Sequence, residues 1–450
     1  MVKLLWCLLL MSILVSTPMV MGHGEEGEEM GYKGEDVFLL QRSKQLMKTD
    51  VGEFRVVKGF GGRVAGIQNS IHIGFINMEP KTLFIPQYID SSLIIFVCRG
   101  EVKVGTIYKD ALEEKKLKTG DIYSILAGST FYMLNTGRGQ RLQVICSIDT
   151  SESLELDVFQ SFFIGGGMNP PSVLAGFDRN TLKTAFNVSG SELDEILTSQ
   201  RGGPIVSIAD EHEPRMWASL LQLKQRDSLQ QLYDIEEEEN TWVWRKLMNS
   251  MLGKKTDRDK KKTDRKTDSY NIYNRKPDFK NDYGWSVAIE ENDYSPLKQS
   301  GIGVYLVNLT AGSILAPHIN PTATEYGIIL RGSGSIQVVY PNGSLAMNAK
   351  VDEGDVFWVP RYFPFCQIAS RSGPMEFFGF ATSARKNWPQ FLVGARSILR
   401  TMKGPELAMA FGVSEKRFSN FTDKQREAII LPSAPMSPLL RNLSLSPEDH

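Results

Sequence analysis

The chain repeats itself. Asn77-Met-Glu-Pro-Lys-Thr-Leu-Phe-Ile-Pro-Gln87 aligns with Asn308-Leu-Thr-Ala-Gly-Ser-Ile-Leu-Ala-Pro-His318. Arg99-Gly100 aligns with Arg331-Gly332, Gly120-Asp121 with Gly354-Asp355, and Ala185-Phe-Asn-Val-Ser189 with Ala410-Phe-Gly-Val-Ser414. The offsets stay between 225 and 234 residues. Self-similarity at a nearly fixed spacing means two copies of one structural unit, and it constrains the fold more than any single motif. Within the unit, short β-like runs broken by Gly and Pro come first: Phe54–Val57, Ile71–Ile76, Thr82–Ile85, Leu93–Val97, Glu101–Ile107, Gly120–Ile125, Thr130–Leu134 and Leu142–Ile148. Many short strands at regular intervals predict a sandwich or barrel. After residue 152 the apolar spacing becomes helical, with Ser189 or Ser191 as the expected N-cap before Leu193. The expected fold is therefore mainly β: two β-barrels, each followed by a helical arm, related by internal duplication.

Six segments follow along the 450 residues. Residues 1–22 read as a secretory signal: Lys3, then an apolar run from Leu4 to Val15 too short to span a bilayer, then Val20-Met-Gly22 before a cut. Residues 23–36 form an acidic, Gly-rich segment. The first barrel and arm take 37–202, and the second take 284–432. Between them, 203–283 reads as a charged, partly disordered linker with Glu236–Glu239 and a basic run over 254–266. Acidic residues interleave with that run, so it reads as a solvated, protease-accessible stretch. Residues 433–450 form a flexible tail. The net charge of −1 argues against nucleic acid as a partner. No later segment is apolar enough for a membrane span, so no membrane association is expected once the signal is removed. Cys7 leaves with the signal; Cys98, Cys146 and Cys366 remain, so at most one internal disulfide can form. Cys98 and Cys146 lie in apolar runs and read as small core residues. Five Asn-x-Ser/Thr sites permit glycosylation: Asn187, Asn308, Asn342, Asn420 and Asn442. Pro341-Asn342-Gly343 marks an exposed turn, whereas Asn308 sits in a strand pattern.

The stretch from Gly312 to Gly332 carries the chemistry-bearing pattern, with Gly312, His318, Glu325 and Gly332 at the spacing of the first cupin motif. With the duplicate frames, Phe54-Arg-Val-Val-Lys-Gly-Phe60, Leu315–Glu325, Val359–Cys366 and the arms ending in Ala-Phe-x-Val-Ser, about 400 residues resemble the vicilin (7S globulin) branch of plant bicupin seed storage proteins. The resemblance implies jelly-roll cupin barrels, homotrimers held by the helical arms, delivery to the protein storage vacuole or the extracellular space, and a nutrient-reservoir role without catalysis.

It also implies where metal ligands would stand. Asn320 occupies the place of the second His, Phe365 that of the His in the second motif, and Tyr362 and Ala369 replace its Gly and Asn, while Gly354 and Pro360 keep the frame. Only His318 and Glu325 survive of four ligands, fewer than the three that catalytic sites ordinarily use. The copper set of some vicilins fares no better: Ala316 stands for its Cys and Phe363 for its second His, with Cys366 nearby as a substitute. In the first barrel Gln87, Ile89, Leu93 and Phe131 fill the ligand places, which reads as a packing core. The expectation is no cofactor, at most a weak metal at His318 and Glu325, and no catalytic residue. Two alternatives stay open: a metal-dependent cupin enzyme handling oxalate or superoxide, and a small-ligand binder using His318, Asn320, Glu325 and Tyr362 as polar handles. His72 and His212 show no partner pattern, and no nucleophile elbow, phosphate loop or dinucleotide fingerprint occurs.

Overall fold

A computed structural model describes residues 37–40, 43–59, 71–108, 111–155, 158–208, 269–385 and 387–433. The expected signal, acidic segment, linker interior, most of the tail and Asn442 lie outside the described residues.

Each half is a pair of antiparallel sheets. In the first half, one sheet runs Ser43–Thr49, Gly52–Val57, Ile71–Met78, Leu142–Asp149, Ser92–Arg99, Asp121–Ile125 and Tyr270–Asn271. The other runs Ser161–Phe163, Thr82–Ile89, Phe131–Asn135, Glu101–Tyr108 and Ala111–Lys118. In the second half, Phe279–Asn281, Gly284–Ile289, Gly303–Leu309, Met375–Ala381, Glu325–Arg331 and Val356–Val359 form the first sheet. Leu345–Val351, Gly334–Val339, Phe365–Ala369, Ile314–Ile319 and Gln390–Phe391 form the second. The repeat is thus a structural duplication: Gln87 pairs with Phe131 and Phe163, as His318 pairs with Phe365 and Phe391.

The continuous apolar runs have a direct cause. A strand covered on both faces needs no polar alternation. Along Ser92–Arg99, Leu93, Ile95 and Val97 enter the first barrel's core. Ile94 and Phe96 leave by the opposite face and join a core shared with the second barrel. There Phe96 stacks on Phe378 with centroids 4.0 Å apart and planes 8° from parallel.

The two halves also exchange their first segments. Phe38–Leu40 lies on the second barrel: Trp358 N donates to Phe38 O at 2.9 Å, Leu40 N donates to Val356 O at 2.8 Å, and Phe38 packs against Trp358 and Phe363. Reciprocally, Tyr270–Asn271 adds to Asp121–Ile125 of the first barrel, and Ile272 N donates to Gly120 O at 2.9 Å. The expected boundaries are corrected accordingly. Residues 37–40 belong to the second barrel. The ends of the stretch drawn as a linker are built into the barrels: Ile205–Ser207 pairs with Thr82–Ile89, and Phe279–Asn281 with Gly284–Ile289. These segments are too short for a periodic signal, and, apart from the tight hairpin of Phe279–Asn281 with Gly284–Ile289, their partners are remote in sequence.

The arms repeat one joint. Arg179–Phe186 ends on Asn187 in the left-handed region (φ 53°), and Ser189 caps Gly190–Thr198 by accepting from Glu192 N at 3.2 Å. In the second arm Gly412 takes the same conformation (φ 64°), and Ser414 caps Glu415–Thr422 by accepting from Arg417 N. Gly and Asn are the residues that tolerate this conformation, and Ser is a strong N-cap; that is why Ala-Phe-x-Val-Ser recurs.

Candidate functional site

Ile314–Ile319 carries His318 into the second barrel's lumen, and Glu325–Arg331 carries Glu325 into the same space. His318 is buried between Phe365 and Phe391, with ring centroids at 4.1 and 5.1 Å. Its Nδ1 lies 2.7 Å from Ala316 O, so the Nδ1–H tautomer donates there and Nε2 remains an acceptor. Burial pushes the imidazole pKa down to about 4, against a small opposing contribution from the Ala316 carbonyl, so the ring is neutral near pH 7. Burial pushes the Glu325 carboxyl above the ordinary range; the hydrogen bond from Asn320 and the nearby Tyr305 phenol act the other way. The Tyr305 hydroxyl faces Glu325 without making a hydrogen bond of full geometry.

Asn320 and Tyr362 are not handles in this lumen, which corrects the expectation. Asn320 Nδ2 donates to Glu325 Oε1 at 2.7 Å. Its Oδ1 accepts from Thr322 N, Thr322 Oγ1 and Ala323 N at 3.0–3.1 Å. The side chain is consumed in holding a turn and orienting Glu325. Tyr362 is 61% exposed and sits at φ 77°, the conformation of the glycine it replaces in the family frame. Its ring lies under Arg361, 5.3 Å from the guanidinium carbon, outside the lumen. Sequence reasoning missed Tyr305 and Gln367, which line the cavity from flanking strands. Their strand alternation was visible, but no motif marks them.

The donor set does not fit a transition metal. Glu325 is engaged by Asn320, His318 has one free ring nitrogen, and Phe365 fills a third ligand place. Cys366 is no substitute: it leaves its strand on the face opposite Phe365, where its thiol lies 3.7 Å from Gln337 Oε1. Burial raises the Cys366 thiol to about 11. Among the described residues no cluster of three or more His, Cys, Asp or Glu is placed to hold a metal. Cys98, Cys146 and Cys366 are all free, and burial raises the first two thiols further, Cys146 to about 12.

The first lumen is nearly filled. A cavity of about 10 Å³ remains beside Gln87, Ile89, Leu93 and Phe131, against about 570 Å³ in the second. His72 Nδ1 accepts from Gly59 N at 3.2 Å, a structural role. Of the glycosylation sites, Asn187, Asn342 and Asn420 are exposed. Asn308 Nδ2 instead donates to the buried Glu376 at 3.1 Å.

A family model described as cupin matches residues 67–194 and 270–418. The chain is 53% identical over 418 residues to a vicilin-like seed storage protein of Arabidopsis thaliana, covering 89% of this chain and 81% of that one. Among solved structures it is similar to the vicilin of Corylus avellana (TM-score 0.72, 21% identity, 88% of this chain and 99% of that one). It is also similar to a Solanum melongena vicilin described as holding different anionic ligands in structurally similar pockets (TM-score 0.73, 19% identity, 91% of this chain and 100% of that one). With two cupin barrels, joined arms and this kinship, the chain belongs to the cupin family, in its vicilin-like branch.

Proposed function

We propose that the chain is a nutrient reservoir of seeds, without enzymatic activity, assembled as a homotrimer through its arms and delivered by the secretory pathway to protein storage vacuoles or the extracellular space. The observation that carries the reading is the 53% identity, across most of both chains, to a vicilin-like seed storage protein. Two features support the details. Both barrels lack a complete donor set in the described residues, which disfavours the oxalate- or superoxide-handling alternative. The arms expose large apolar side chains, among them Phe186, Ile196, Met409, Phe411 and Phe421, and such surface ordinarily becomes an interface. Arm-to-arm contacts between different faces close into a ring, as a trimer requires. Native mass measurement and elemental analysis of the purified protein test this together. The expected result is three protomers with substoichiometric Mn, Fe, Cu and Zn. A monomer would remove the assembly, and one equivalent of a transition metal would restore the enzyme alternative.

A further inference from the structure

The hairpin between Gly334–Val339 and Leu345–Val351 carries at its tip the chain's single Asn-Gly pair, Asn342-Gly343. A glycine leaves the backbone nitrogen after the asparagine uncrowded. A Cβ added at Gly343 would meet nothing within 4 Å, and residues 341–345 are exposed, so no neighbour shields the tip. The other exposed glycosylation asparagines differ: Asn187 is followed by Val188 and Asn420 by Phe421, whose side chains crowd that nitrogen. The tip also activates the side-chain amide. Ser344 N and Ser344 Oγ both donate to Asn342 Oδ1, at 3.0 and 2.7 Å. Donors so placed draw electrons from Cγ and meet the charge that develops on Oδ1 when a nucleophile adds there. One contact opposes: Gly343 N donates to Tyr340 O at 2.9 Å and has to leave it before it can attack. At an exposed tip that bond is exchanged for one to water, so its net cost is small.

We propose that this tip is a self-modification site with two mutually exclusive fates: Asn342 either carries a glycan or, left bare, deamidates through a succinimide with Ser344 as the activating residue. Hydroxide takes the Gly343 amide proton, and the nitrogen adds to Asn342 Cγ. The adduct collapses by breaking the Cγ–Nδ2 bond, and Nδ2 takes a proton from water and leaves as ammonia, which regenerates the hydroxide. Water then opens the ring. Addition at Cγ restores the backbone with aspartate at 342; addition at the main-chain carbonyl leaves isoaspartate, with the chain running through Cγ. The first product puts a carboxylate at the tip. The second also lengthens the turn, which the Gly343 N to Tyr340 O and Tyr340 N to Ser344 O bonds then no longer fit. Both products destroy the glycosylation site. A glycan on Nδ2 closes the route in return, because the leaving group becomes a bulky glycosylamine and the sugar covers the tip.

Peptide mapping by mass spectrometry tests the proposal, on the folded full-length protein aged in mildly alkaline heavy-oxygen water. One sample comes from a bacterial host, which adds no N-glycan, and one from a eukaryotic secretory host. In the bare protein, Asn342 should convert to labelled aspartate and isoaspartate ahead of Asn187 and Asn420. The glycosylated form should keep Asn342 intact. Ser344→Ala removes one donor to Oδ1 and should slow the conversion by about two- to tenfold. Ser344→Thr keeps the hydroxyl and should keep the wild-type rate, which a merely structural effect of the substitution would not predict. Conversion no faster than at Asn187 and Asn420 would overturn the proposal, as would equal conversion of the glycosylated form. A Ser344→Ala rate equal to or above wild type would show that the turn restrains the amide rather than activating it, and would overturn the role of Ser344. None of these outcomes touches the storage reading, which rests on other observations.

Discussion

His318 is held neutral inside the second barrel, and this makes the protein's stability depend on acidity in a defined direction. Its folded pKa, about 4, lies below the ordinary 6.5. The unfolded chain therefore binds a proton in a range where the folded one does not. The associated stability is fully present above pH 6.5 and is lost as pH falls toward 4. The full window is worth about 3 kcal/mol. Glu325 works oppositely, because a raised carboxyl pKa adds stability on acidification, so the comparison must isolate His318. Between pH 7 and pH 4, wild type should lose about 3 kcal/mol relative to His318→Gln, read from urea unfolding at each pH. Parallel curves would show that the ring is solvated. At this scale the motif spacing placed His318 and Glu325 facing inward, and both line the lumen. It misplaced Asn320 and Tyr362. A spacing cannot show that an amide is saturated by its own turn, nor that a residue in the left-handed region aims its side chain outward.

The strands and arms were largely legible as elements. Runs such as Leu93-Ile-Ile-Phe-Val97 announced buried strands, and Ser189 announced the start of Gly190–Thr198. The exchange of Phe38–Leu40 and Tyr270–Asn271 was not, because each is only a few residues long and pairs across a wide sequence separation. The face between the barrels gives a direct test. Phe378 is fully buried and stacks on Phe96, so Phe378→Ala should cost about 3–5 kcal/mol and unfold both halves together. A loss below 1 kcal/mol, or a second transition in the denaturant curve, would mean that the halves are not coupled through this contact. The hairpin between Gly334–Val339 and Leu345–Val351 makes a separate point. Asn342 stands at its tip, its Oδ1 accepting from Ser344 N at 3.0 Å. Asn308 is spent on Glu376. Glycopeptide mass spectrometry of the secreted protein should find a glycan on Asn342 and none on Asn308. A glycan on Asn308 would contradict the buried network.

For the whole molecule, the duplicated barrels explain the shared core, and the arms explain the exposed apolar surface: Met409 is 80% and Phe421 67% accessible in the single chain. The two barrels form a β scaffold with densely buried cores, and the sequence joins them by a charged connector that lies outside the described residues. Those are properties of a chain made to accumulate and later be degraded. The most direct test is a time course of the protein in isolated seed storage vacuoles, by quantitative mass spectrometry, from maturation through germination. The account predicts that it rises to be among the abundant vacuolar proteins in mature seed and disappears during seedling growth. A protein scarce in seed, or one that persists unchanged through germination, would contradict the storage role.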